Sequence, residues 1–398
     1  MERELQTGSI SSVINLVDFL LEEAHAAKAS DIHFDPQPDK IRVRFRVDGV
    51  LIDKYGLPKG IQSEIISRVK ILAGLRTDEH QAAQDGRFRL SRGLAQADVR
   101  VSIAPTYHGE NAVLRLLSDR ASEYNLETLG FSAVNRKIIT QALQKPYGMI
   151  LATGPTGSGK TTTLYAMLKK LNTPEASIVT IEDPIEYSLP GVNQIGVNPR
   201  AGLNFANGLR SILRQDPNII MVGEIRDTET AGLAVNTALT GHLLLSTLHT
   251  NDATTTLPRL IDMGIEPYLI ASTVNIAIGQ RLVRQICRHC KAQKSLSRGQ
   301  LHSLQNLLPA LPIHKDPIVY QGEGCTACGN SGFAGRIGLQ EILVMDTALR
   351  ESVLQKDSAA RLRALALQRG FETMAADGWR KVSEGLTTVD ELLRTQYE

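Results

Sequence analysis

Residues 149–161 read Met149-Ile150-Leu151-Ala152-Thr153-Gly154-Pro155-Thr156-Gly157-Ser158-Gly159-Lys160-Thr161. Met149 to Ala152 form a short, continuously apolar run, which predicts a strand buried on both faces. The glycines that follow permit a backbone curve whose N–H groups face anionic oxygens. A helix beginning near Lys160 adds its positive end. The spacing G-x-x-x-x-G-K-T, after a strand and before a helix, is that of a phosphate-binding loop. Lys160 is expected to reach the β- and γ-phosphates and Thr161 to offer its hydroxyl to Mg2+. Gly154, Pro155, Thr156, Gly157, Ser158, Gly159 and the neighbouring Thr162 complete the expected nucleotide contacts. The chain has no Asn-Lys-x-Asp turn to specify guanine, so ATP is the expected nucleotide.

Further apolar runs follow at Ser177–Ile181, Ile219–Val222 and Leu243–Thr247, with helical patterns between them. Such alternation predicts an α/β sheet covered by helices on both faces. Its strands end in acids. Ile219 to Val222 leads through Gly223 to Glu224, placed to polarise a water or hold Mg2+ through water. Ile181 leads to Glu182, Asp183 and Glu186, a second candidate cluster. Polar strand ends also occur simply because they meet solvent, and sequence does not say which acid is the general base. His242 and His249 bracket the last apolar run, where they are candidates for sensing the γ-phosphate.

Upstream, Leu16–Ala27 has helical apolar spacing, and Ser30-Asp31 is expected to end that helix or start a turn. Ile41–Val47 alternates as a half-exposed strand, Asp48-Gly49 as a turn and Val50–Tyr55 as the return strand. Gln62–Gly74 reads as a helix, and Gly86–Leu90, Ala97–Ile103 and Asn111–Leu116 as strands. Residues 1–118 are thus expected to form a small α+β domain, 119–136 a linker, and 137–398 the nucleotide-binding domain.

Two C-x-x-C knuckles, Cys287/Cys290 and Cys325/Cys328, interrupt the α/β rhythm. All four cysteines of the chain lie in them. Two knuckles supply four thiolates in tetrahedral arrangement, which suits Zn2+, although an iron–sulfur cluster takes the same ligand number. The module is expected over 284–340, and a helical region over 347–398.

The 398 residues include 44 basic and 42 acidic side chains, a net charge of +2, and 5% aromatics. That balance argues against a dedicated nucleic-acid or anionic-membrane binder. No apolar stretch is long enough for a membrane span, and Met1–Gly8 lacks a signal-peptide pattern. The expected location is cytoplasmic, with any membrane association made through a partner.

From about Ala29 to Arg394 the chain resembles the secretion-type ATPases of type II secretion and type IV pilus assembly. Thr180–Glu186 resembles that family's aspartate box, Leu209–Asp227 its arginine-rich lead-in and Walker B segment, and Thr240–Asp252 its histidine box. Gly279–Val283 is similar to the turn that follows. Ser30-Asp31-Ile32-His33, Arg44–Gly49, Gln84–Arg87 and Arg100–Ser102, continuing to Arg115, resemble its amino-terminal signature.

The resemblance implies a PAS-like first domain, a RecA-like P-loop domain and a homo-hexameric ring with ATP between the domains. It implies that Arg100 and Arg115, and more weakly Arg87, contact phosphates, where a guanidinium would stabilise developing charge. Arg210, Arg214 and Arg226 are expected to meet acids or neighbouring subunits. The tetracysteine module favours the assembly or secretion branch over the retraction branch. The implied partner is an inner-membrane platform protein, with the motor held peripherally at that membrane. Few residues precede the Ser30 signature, so a truncated chain or a short family member is expected. The rival reading is a hexameric motor for DNA translocation or DNA uptake, which would want a basic, aromatic pore.

Overall fold

The computed structural model describes residues 12–92, 95–118, 124–308, 313 and 317–395. They fall into two units, Met1–Ser122 and Glu123–Glu398.

The first unit is a six-stranded sheet with the order β3-β2-β1-β6-β5-β4, antiparallel at every pairing. The strands are β1 (Asp31–Pro36), β2 (Lys40–Val47), β3 (Val50–Pro58), β4 (Gln84–Arg92), β5 (Ala95–Thr106) and β6 (Gly109–Ser118). Helices α1 (Val13–Ala26) and α2 (Gln62–Leu72) supply Leu16, Leu20, Ile65 and Val69 to its core. Strand β2 shows why only one face is covered: Ile41, Val43 and Phe45 are buried, while Arg42, Arg44 and Arg46 alternate outward. The first helix ends before Ser30, as expected, but Ser30-Asp31 then leads directly into β1, a strand the sequence reading missed. Its alternation is short, and the polar Asp31 and His33 hide it.

The second unit is built on a seven-stranded sheet with the order β15-β12-β7-β11-β10-β8-β9. These are β7 (Gly148–Thr153), β8 (Ile178–Glu182), β9 (Asn193–Gly196), β10 (Ile219–Val222), β11 (Leu243–Leu248), β12 (Val274–Ile286) and β15 (Phe333–Val344). All neighbours are parallel except β12 and β15. Helices α3 (Ala133–Leu143) and α4 (Lys160–Leu171) cover one face. Helices α5 (Phe205–Ile212), α6 (Thr228–Leu239), α7 (Thr256–Asp262) and α8 (Pro267–Thr273) cover the other. Strand β7 serves both cores, Met149 and Leu151 to one and Ile150 and Ala152 to the other. This explains its unbroken apolar run.

Gly279–Val283, expected as a turn, is the middle of the 13-residue strand β12. Between β12 and β15 the chain makes a ribbon of β13 (Lys291–Lys294) and β14 (Val319–Gly322), with α9 (Arg298–Leu307) beside it. The chain then closes in α10 (Thr347–Leu354), α11 (Ala359–Gln368), α12 (Met374–Ser383) and α13 (Val389–Arg394). Among the described residues no helix is long and apolar enough to cross a membrane.

Candidate nucleotide site and metal centre

The loop from Gly154 to Gly159 joins β7 to α4 at the carboxyl edge of the parallel sheet, where ligands of open α/β folds bind. Gly159 has φ +88, and a Cβ there would lie 2.8 Å from Gln280 Nε2. The same amide donates to the Ser158 carbonyl at 2.8 Å, while Gln280 Oε1 accepts from the Thr163 hydroxyl at 2.8 Å. Gln280 is buried in β12 and clamps both the loop and the first turn of α4.

Lys160 Nζ donates to the carbonyls of Gly154 (2.8 Å) and Pro155 (3.0 Å), so its ammonium lies inside the curve of the loop. Burial pushes its pKa down to about 8; Glu224 opposes that shift and Arg281 adds to it. Among the described residues the buried Ser158 hydroxyl has no hydrogen-bond partner, and it lies beside Gly154 in the loop. Thr161 and Thr162 are half-buried at the start of α4.

Glu224 follows β10 and is nearly buried. Its Oε2 meets Arg226 Nε at 2.6 Å and His249 Nε2 at 3.2 Å. Thr153, the last residue of β7, fixes the neighbouring loop. Its hydroxyl donates to the Leu248 and Thr250 carbonyls and accepts from the Thr250 amide at 3.0 Å. The phosphate loop, Glu224 and His249 therefore share one edge of the sheet.

His242 does not join them. It precedes β11, and its carbonyl accepts from the amide of Gly148, the first residue of β7. Its Nδ1 lies 3.2 Å from the Thr237 carbonyl. It thus sits at the amino edge, separated from the phosphate loop by the six-residue strand β7, about 20 Å of chain. Of the two candidate histidines, the structure brings His249 and not His242 to the edge that carries the phosphate loop.

Glu182 ends β8 on the correct edge but faces inward. Thr180 Oγ1 donates to Oε1 at 2.6 Å and Gln194 Nε2 at 3.1 Å, and the Tyr165 hydroxyl donates to Oε2. Burial raises its pKa, and the three hydrogen bonds oppose that rise. These bonds tie β8 to α4 through Glu182. Asp183 is exposed and Glu186 half-buried beyond the strand. Arg210 pairs with Glu229 at 2.6 Å and Arg214 with the Ser211 hydroxyl, both within the chain.

In the first unit, Arg87 lies opposite Arg100, and Arg100 opposite Arg115, across adjacent strands. Asp31 continues the row and pairs with Arg115 at 3.0 Å and Arg46 at 3.4 Å.

Cys287, Cys290, Cys325 and Cys328 bring their sulfurs within 4.8 Å of one another. Sulfur–sulfur separations of 3.8 Å (Cys287–Cys325), 3.9 Å (Cys290–Cys328) and 3.7 Å (Cys325–Cys328) leave the thiols unlinked. Four metal–sulfur bonds of about 2.3 Å in a tetrahedron set edges of roughly 3.8 Å, so this cluster could hold a metal ion. The amides of Cys325 and Gly332 donate to Cys328 Sγ, which favours the thiolate.

Sequence reasoning missed Gln280, Thr153 and Glu341, of which Glu341 bridges two other elements. Only Thr153 carried a signal, as the one polar residue of β7; Gln280 and Glu341 lie in strands with other polar residues and do not stand out.

This fold and site define a P-loop nucleoside triphosphatase with a RecA-like core. Residues 6–394 match the family described as Type II/IV secretion system protein, and the chain belongs to that family. The type IV pilus assembly ATPase PilB of Thermus thermophilus is 43% identical over 388 residues, a match covering 98% of this chain and 43% of PilB. The type II secretion system protein E of Pseudomonas aeruginosa is 45% identical over 386 residues, covering 97% of this chain and 76% of that protein. The crystal structure of the pilus retraction motor PilT with bound ADP superposes with a TM-score of 0.64 at 26% identity, covering 94% of this chain and 95% of PilT.

Proposed function

We propose that this chain is the ATP-hydrolysing subunit of a motor that drives pilin or pseudopilin assembly, for type IV pilus extension or type II secretion. The observation that carries the reading is the Glu224–His249 pair at the same sheet edge as the Lys160 loop. The family match over residues 6–394 supports it.

In this mechanism the loop amides and Lys160 hold the β- and γ-phosphates, which replace the Gly154 and Pro155 carbonyls as partners of the ammonium. The Thr161 hydroxyl and the exposed carboxylate of Asp183 are hard oxygen donors that fit Mg2+, whose contribution is to neutralise phosphate charge. Glu224 accepts a hydrogen bond from the attacking water and turns its lone pair toward the γ-phosphorus. Arg226 and His249 hold that carboxylate in place. Arg100 and Arg115 are proposed phosphate contacts, supported by the family resemblance.

The finer reading includes a homo-hexamer working on an inner-membrane platform protein and a peripheral cytoplasmic location at that membrane. It also includes a PAS-like first domain over 1–118, a linker over 119–136 and a nucleotide domain over 137–398. The four cysteines are proposed to hold structural Zn2+, with no role in hydrolysis.

The test is phosphate release by the purified chain and by Glu224→Gln, with and without the cytoplasmic part of a candidate platform protein. Turnover that rises with the platform and collapses in the variant supports the motor. Turnover indifferent to the platform but stimulated by DNA overturns it.

A further inference from the structure

Glu341 lies in the middle of β15, almost fully buried, directly opposite Gly279 of β12. Its two oxygens serve two different elements. Oε1 accepts from the backbone amide of Ala253 at 2.9 Å, and Oε2 from the backbone amide of Met374 at 2.9 Å. Ala253 belongs to the loop that carries His249 and Thr250. Met374 is the first residue of α12, whose cap is Thr373.

The neighbourhood is shaped for this bridge. A Cβ at position 279 would sit 2.9 Å from both the Ala253 amide and Glu341 Oε1, so glycine leaves the space the carboxylate crosses. A second contact runs in the same direction: Arg363 of α11 lies 4.0 Å from Asp252. On its other side the loop is held by Thr153 and by the His249–Glu224 contact. A core needs no carboxylate here, because an apolar side chain would fill β15 at lower desolvation cost. What a carboxylate adds is two acceptors on one rigid fork, joining two backbones that otherwise have no shared ladder.

We infer that Glu341 is a positioning residue for hydrolysis, fixing the His249 loop against the first turn of α12 so that the carboxy-terminal helices and the Glu224–His249 pair move as one piece. The inference rests on the proposed ATPase activity. It assigns the carboxy-terminal helices a part in the chemical step, although none of their residues touches the phosphate loop among the described contacts.

Two variants test it from opposite ends. Glu341→Gln keeps shape but turns an N–H toward one of two N–H donors. Met374→Pro deletes the second donor together with a side chain packed on the small carboxy-terminal core, and Met374→Ala, which keeps the donor, controls for that packing. Met374 is the first helical position, where proline is tolerated, and Thr373 already has the extended conformation that precedes proline. Glu341→Gln and Met374→Pro are each expected to lower kcat on the order of tenfold, equivalent to ~1.4 kcal/mol of transition-state stabilisation, while KM for ATP stays within about twofold. In a His249→Ala background the same changes should have no further effect on kcat, because they act through that loop. Wild-type turnover with full kcat in Met374→Pro overturns the inference. So does a kcat loss that persists undiminished in His249→Ala, or a loss confined to KM. If Glu341→Gln does not fold, Met374→Pro decides alone. Absence of turnover in the wild type itself overturns instead the ATPase reading, and is distinguishable because no variant is needed to see it.

Discussion

Gln280 Nε2 donates to the Ser158 carbonyl at 2.8 Å across a separation of 122 residues. The phosphate loop is thus held in shape by the strand next to β7, not by its own glycines alone. The glycines make the curve possible; Gln280 selects it. Replacing Gln280 by Leu leaves the Ser158 carbonyl and the Thr163 hydroxyl buried without that partner. Destabilisation of about 1–3 kcal/mol is expected, read by denaturant titration. Nucleotide affinity should fall by on the order of tenfold, because the loop must then be ordered at binding. Gly159→Ala should be worse, since it combines a left-handed φ with a contact of 2.8 Å to the Gln280 amide.

Lys160 gives a prediction about protons. Its folded pKa, about 8, lies below the ordinary lysine value, so the folded ligand-free protein holds fewer protons on this group than the unfolded chain between those two values. By linkage its contribution to stability rises with pH across that window and is lost as pH falls through about 8. Phosphate oxygens favour the charged form. Nucleotide binding at pH 8.5 should therefore take up a substantial fraction of a proton, and binding at pH 6.5 almost none by this route. Calorimetry in buffers of different ionisation enthalpy reads the difference. Equal uptake at both pH values would mean that Lys160 is already charged in the free site.

The two histidines separate by position. His249 touches Glu224 at 3.2 Å; His242 lies at the other edge of the sheet, against Thr237. If Glu224 orients the attacking water as proposed, His249→Ala, which frees that carboxylate, should lower kcat by on the order of tenfold, about 1.4 kcal/mol, in steady-state turnover. His242→Ala should leave the nucleotide affinity of the isolated chain within about twofold. A large loss of affinity in His242→Ala would contradict the placement given by β11.

What the sequence made legible was the part written in local pattern. The phosphate loop, the four parallel strands around it and the cysteine knuckles each carry their signal within a few residues. Which acid is bonded inward and which is held at the sheet edge was not legible. Glu182 and Glu224 both follow apolar strands, yet Thr180, Tyr165 and Gln194 turn one inward, while Arg226 and His249 hold the other at the edge. Those partners come from different elements, and only the fold brings them together. Gly279–Val283, expected as a turn from the family resemblance alone, lies within β12, where Gly279 makes room for Glu341 and Gln280 serves the loop. Tyr165→Phe tests the structural role given to Glu182. It should cost about 1–3 kcal/mol of stability and change kcat by no more than about twofold. A kcat loss at unchanged stability would return Glu182 to the chemistry.

The cysteine centre is expected to act on folding and not on hydrolysis. Its sulfurs sit at the ends of a ribbon whose apolar side joins Val283, Leu339, Val382 and Leu392 in a small core of its own. That core includes no residue of the phosphate loop. A metal ion there would close a segment too small to bury enough apolar surface unaided. Metal analysis of the purified protein should find about one zinc per chain, and Cys325→Ser should lose it. Chelation should speed hydrogen exchange first over residues 287–295 and 319–333, while nucleotide affinity stays within about twofold. Exchange that instead spreads to β7 and α4 together would show that the module and the ATP site form one cooperative unit. The separate clusters of buried side chains argue against that outcome, because cooperative units follow contiguous apolar contacts.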